Sequence, residues 1–206
     1  MIKGNETMKL VVGTESTWSL RAWICSQLAG IALDIIVIDL AAQDYKQQIL
    51  KHSPTGLVPA LITEDCVIHD SLAIAEYFNE LSDHKLYPDS ASERAIARSL
   101  CAEMHSGFTS LRTQCPFNVS GNIASVAINK NLSNELERVK AIFECANGRF
   151  MFEKPSVVDA FYAILAYRMA SFGISLDGKA GEYQSSLLAW PLLKDSITLA
   201  KRWSTK

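Results

Sequence analysis

The period of apolar and polar positions changes near residue 85. Ahead of that point, short runs alternate between strand and helix patterns. "KLVVG" (9–13) is a compact apolar run of the kind a buried strand carries. Leu20, Trp23, Ile24 and Leu28 follow at helical spacing, with Gly30 placed to close the helix. "LDIIVIDL" (33–40), rich in Ile and Val, predicts a second strand. "DYKQQILKH" predicts a short polar helix, and "SPTGLVP" (53–59) predicts a loop. "ALIT" and "CVIH" predict a hairpin around Glu64–Asp65. Ser71 then opens a helix with Ile74, Tyr77, Phe78 and Leu81 on one face. The order is β-α-β-α-β-β-α, a small mixed sheet with helices on its faces.

"SDHKLYPDSAS" (82–92) is polar and holds Pro88, so it reads as a linker. Beyond it the strand signals stop. Helical patterns cover about 93–113, 124–146, 156–171 and 181–204, the last bent at Pro191. The fold class is therefore α/β followed by all-α. Residues 1–7 form a flexible extension, 8–84 the α/β unit, 85–92 the linker and 93–206 the helical unit.

Composition narrows the function classes. With 49% hydrophobic residues and a formal charge of −2 in 206 residues, the chain can fill a packed core. Scattered Lys and Arg give no footprint for nucleic acid or an anionic membrane. No run reaches the roughly 20 apolar residues that a membrane span needs. The start lacks the pattern of a secretory signal. Five widely spaced cysteines without a CxxC pair then read as reduced thiols in the cytoplasm.

Phosphate-cradling glycine motifs and GxSxG are absent. His52, His69, His84 and His105 show no ligand spacing, so neither a nucleotide nor a metal is expected. Three stretches in the α/β unit remain. In "ESTWSLRAW" (15–23), Ser16, Thr17 and Ser19 stand where a strand hands over to a helix, as caps or as donors to an anion. In "GLVPA" (56–60), a cis bond before Pro59 would turn the backbone N–H and C=O of Val58 outward, toward a peptide-like ligand. In "HDSLAIAEY" (69–77), Asp70 or Ser71 caps a helix. Ser71 and the first-turn N–H groups suit a carboxylate, and Asp70 suits an ammonium.

"STWSLRAW", then "VP" about forty residues on, then "DS" about a dozen later, resembles the N-terminal domain of the cytosolic glutathione transferases. The order S-[ST]-x-S-x-R looks most like the serine-type members, the zeta class and its bacterial relatives. "FMFEKPSVVDAFYA" (150–163) is similar to a characteristic segment of the family's helical domain, with Ser156 and Asp159 as a capping box. "AEMHSGFTSLR" (102–112) has the look of bacterial members.

The resemblance implies a thioredoxin-like fold for the first unit and a homodimer. Glutathione becomes the co-substrate, and the activity is transfer of its sulfur to small, mostly apolar electrophiles. It puts Ser16 in the place of the catalytic serine, with Thr17 in reserve and Ser19 as the helix cap. Val58 takes the place that binds the cysteinyl backbone, Pro59 that of the cis-proline, and Asp70 and Ser71 those that hold the γ-glutamyl end. Leu57 stands where many members carry Lys or Gln, and Trp18 where the zeta class has Cys. Met104, His105, Phe108 and Arg112, on one face of the first long helix, are candidates to border an electrophile pocket with Trp18. Arg21 and Arg168 are candidate ion-pair partners. A glutathione-dependent cis–trans isomerase and a non-catalytic module of the same fold are the alternatives. A thiol–disulfide reductase lacks a cysteine near residue 16.

Overall fold

The computed structural model describes residues 7–119 and 125–205. The expected extension over residues 1–7 falls almost entirely outside them. Four strands form one sheet in the order β2-β1-β3-β4. β1 (Lys9–Gly13) runs parallel to β2 (Asp34–Ile38) and antiparallel to β3 (Ala60–Ile62), which pairs with β4 (Val67–His69). β1 is central, and Leu10, Val11 and Val12 are all fully buried. Strand alternation splits them: Leu10 and Val12 join the main core, while Val11 packs with Ile38, Ile49 and Ala60 on the other face.

The helices divide in the same way. α1 (Thr17–Ala29) and α3 (Ser71–Leu81) cover one face of the sheet, and α2 (Tyr45–Leu50) brings Ile49 to the other. This is the thioredoxin-like arrangement that the resemblance implies. α1 also packs on α7 (Val157–Ser171) and α9 (Pro191–Ser204), so it has almost no solvent face. α7 is the axis of the helical half, where all residues except Tyr167 and Ala170 are buried. Its start is the expected capping box: Ser156 Oγ accepts from Val158 N–H, and Asp159 accepts from the N–H and the hydroxyl of Ser156.

Two predicted helices are each two helices. The first breaks into α4 (Ala91–Ser106) and α5 (Thr109–Gln114). The break has a local and a distant cause. Phe108 sits in the left-handed region at φ 56°, and the space for a side chain at Gly107 is taken by the Glu103 carbonyl, 2.7 Å from where a Cβ would lie. The exposed donors at the start of α5 are met from across the molecule, with Glu135 accepting from Ser110 and Leu111 N–H at 3.0 and 2.7 Å. Met104, His105, Phe108 and Arg112 therefore do not share one helix face. The last predicted helix is α8 (Gly178–Ala189) and α9, separated at Trp190 with Pro191 opening α9. α6 runs from Lys130 to Phe143, later than expected, and the predicted start at 124 lies outside the described residues.

Candidate functional site

The head of α1 is built from hydroxyl groups that cap one another. Ser16 is the N-cap, at φ −81°, and its Oγ accepts from Ser19 N–H at 3.3 Å. The cap expected at Ser19 is thus at Ser16. Ser19 is fully buried and its Oγ accepts from Gly13 N–H at 3.2 Å, which ties the end of β1 to the helix. On its other side Gly13 is hemmed in by the segment after β2, where a Cβ would meet Leu40 at 2.6 Å. Thr17 Oγ1 accepts from Arg168 at 3.3 Å, joining α1 to α7. Each of the three hydroxyls accepts one hydrogen bond and donates none among the described residues; Ser16 differs in keeping 8% exposure where Ser19 is fully buried.

The second and third stretches meet Trp18 of the first across one cleft of about 330 Å³, which Ser16, Thr17 and Ser19 do not line. Leu57, Val58, Pro59, Asp70 and Ser71 line it, together with Trp18 from α1 and His105 from α4. Val58–Pro59 is cis, and among the described residues no backbone hydrogen bond engages Val58. Ser71 is buried at the first turn of α3, and among the described residues its Oγ has no hydrogen-bond partner. Leu57 is 69% exposed on the rim. Thr55 and His69 also line the cleft and were not expected. Thr55 sits in the breaker-rich loop and His69 at a strand end, where sequence carries no sign of which way a side chain faces.

Asp70 is the N-cap of α3 at φ 78°, a conformation that costs a non-glycine residue about 1–3 kcal/mol. Both carboxylate oxygens are used. Oδ1 accepts from Leu72 N–H at 2.8 Å, and Oδ2 lies 3.1 Å from Nε2 of His105. This contact joins the sheet half to the helical half. His105 also meets the edge of Trp18, with ring centres 4.9 Å apart.

Trp18 sits among cations. The guanidinium carbons of Arg21 and Arg112 lie 4.5 and 4.4 Å from its ring centre. Arg21 is fully buried, also stacks on Phe161 at 5.3 Å, and leaves Nε and Nη1 without partners. Burial, reinforced by Arg112 and Arg168, pushes its pKa down to about 9. Arg168 is pushed down to about 10 by burial and by Arg112. It donates to the carbonyls of Arg112 and Cys115 as well as to Thr17. Neither Arg21 nor Arg168 pairs with a carboxylate among the described residues, so the ion-pair reading of both gives way to stacking and carbonyl contacts. The head of α1 therefore lies in a positive field. Arg112 donates to the carbonyls of His105 and Gly107, bracing the α4–α5 break. Met104 and Phe108 are buried and do not line the cleft. Among the described residues no group of His, Cys, Asp and Glu could hold a metal ion, and no helix is long and apolar enough to cross a membrane.

Comparison with known proteins matches this geometry to a family. Residues 15–81 match the glutathione S-transferase N-terminal domain. A stringent starvation protein A homolog of Pasteurella multocida (strain Pm70) is 27% identical over 169 residues, 82% of this chain and 77% of the relative. A zeta-class glutathione S-transferase of Euphorbia esula is 25% identical over 150 residues, 69% and 67% of the two chains. A glutathione transferase homolog from Burkholderia, solved with bound glutathione, superposes with a TM-score of 0.72 at 20% identity, covering 96% of this chain and 99% of that one. Residues 15–81 are a glutathione S-transferase N-terminal domain, and the chain as a whole has the fold of the glutathione transferases.

Proposed function

We propose that the protein is a glutathione transferase that ionises the thiol of glutathione and directs it at small, mostly apolar electrophiles. The observation that carries this reading is the cleft itself. It gathers an unengaged peptide edge at Val58, a carboxylate at Asp70 and a buried, unpartnered hydroxyl at Ser71 on the first turn of α3. Those groups complement a tripeptide whose γ-glutamyl end bears both an ammonium and a carboxylate.

Residues 8–84 then form the glutathione-binding unit, 85–92 the linker and 93–206 the electrophile side, with Trp18, His105 and Arg112 nearest the cleft. Ser16 donates to the sulfur. Bringing a thiol of pKa near 8.5 down by about two units requires about 2.7 kcal/mol of preference for the anion. A hydroxyl donor to a charged acceptor is worth about 1.5–3 kcal/mol, and a helix N-terminus adds about 0.3–1 kcal/mol. Ser16 at the head of α1 therefore meets the requirement without a general base, and the uncompensated Arg21 favours the same charge. Attack forms the carbon–sulfur bond, and the leaving group departs with its electron pair. The same thiolate adding reversibly to an electron-poor alkene would serve cis–trans isomerisation, a variant favoured by the similarity to a probable maleylacetoacetate isomerase of Caenorhabditis elegans.

The reading extends to a cytoplasmic homodimer. Its test is a panel of aryl halides, isothiocyanates, hydroperoxides and maleyl acids, each assayed with and without glutathione. Glutathione-dependent turnover of at least one, with a thiolate absorbance band near neutral pH in the binary complex, is the expected result. A band that emerges only in alkali, as for free glutathione, would overturn the reading.

A further inference from the structure

Asp70 is asked to serve more than one cation. Its Oδ1 is committed to Leu72 N–H at 2.8 Å, and its Oδ2 faces Nε2 of His105 at 3.1 Å. The proposed function, on which this inference rests, brings the α-ammonium of the γ-glutamyl group to the same carboxylate. We propose that His105 is a proton-linked competitor of glutathione: the imidazolium occupies Asp70 in the free protein, and ligand binding expels its proton to solvent.

The surroundings of His105 give it no second counter-charge. From α1 it meets Trp18, with the buried cation Arg21 behind the ring. From α5 comes Arg112, which donates to the carbonyl of His105 itself. His69 at the end of β4 lines the same cleft. On α3, Glu76 is held by Arg98 and Tyr87, and on α4 itself Glu103 is held by Arg138. On α7, Arg168 adds positive charge and Asp159 is spent on its four donors. Among the described residues Nδ1 of His105 is buried without a partner, and Asp70 is the only carboxylate in contact with this imidazole. A second cation arriving there removes the reason for the first, and linkage then requires that proton and ligand weaken each other's binding by the same factor. His105 is here a positioning residue for glutathione, contributed by the helical half.

S-Methylglutathione tests this, because its capped sulfur has no proton to lose. Calorimetric titration near pH 6.5 in buffers of different ionisation enthalpy counts the protons released on binding. A proton release clearly above zero is expected in the wild type and close to none in His105→Gln, with His105→Asn as a second variant. The Kd of the wild type should weaken about 5-fold or more between about pH 8 and about pH 5.5, and that of the variants by less than about twofold. Binding without proton release overturns the proposal alone. So does release that persists in both His105 variants, or that disappears in His69→Gln instead. Failure of the wild type to bind the ligand at any pH overturns the glutathione site itself.

Discussion

Ser16 has two separable roles, one in the fold and one in the proposed chemistry. As N-cap it accepts from Ser19 N–H, and its own proton is free for a ligand. Ser16→Ala should cost about 1 kcal/mol of stability through the lost cap. It should lower turnover by about 10- to 100-fold through the lost anion donor. Thermal melts and steady-state kinetics separate the two, with glutathione affinity largely kept. Thr17 and Ser19 looked equivalent to Ser16 in the sequence because all three are small hydroxyls within four positions. What separates them is the packing around α1: Arg168 from α7 holds Thr17 and Ser19 is fully buried under Gly13, while Ser16 keeps 8% exposure. The Asp70–His105 pair was illegible for the same reason, since its partners lie on opposite sides of the linker. The Asp70 cap of α3 and the bend at Val58–Pro59 were legible because cap and turn chemistry is local.

Elements were readable where they depend on their own residues. The strands and α1–α3 follow from alternation and breakers, and α7 from Ser156 and Asp159. The α4–α5 break was not readable, because it rests on the positive φ of Phe108 and on Glu135 capping from α6. Asp159 illustrates how much one group can hold. Burial pushes its carboxyl up and four donors pull it back: Met151 N–H, Ser156 N–H, the Ser156 hydroxyl and Tyr183. Asp159→Ala strands all four and should cost about 3–5 kcal/mol, the scale of breaking a buried charged network. A fall in denaturant midpoint with unchanged slope would register it. Asn in its place should recover part of the loss.

At the scale of the molecule, the division near residue 85 is one of sequence pattern more than of packing. α1 turns one side to α3 and the other to α7 and α9. Its buried Arg21 meets Phe161, and Thr17 meets Arg168. The two halves therefore share a spine, and unfolding should be a single cooperative transition. A recombination experiment exposes what this means. A chimaera that joins residues up to the 85–92 stretch to a foreign helical half inherits an α1 cut to fit the wrong neighbours. Such hybrids should give poor soluble yield, recovered when the grafted half also carries this chain's α7 and α9 faces. The crossover point that looks cheapest along the chain is, in three dimensions, a cut between α1 and the helices it packs on.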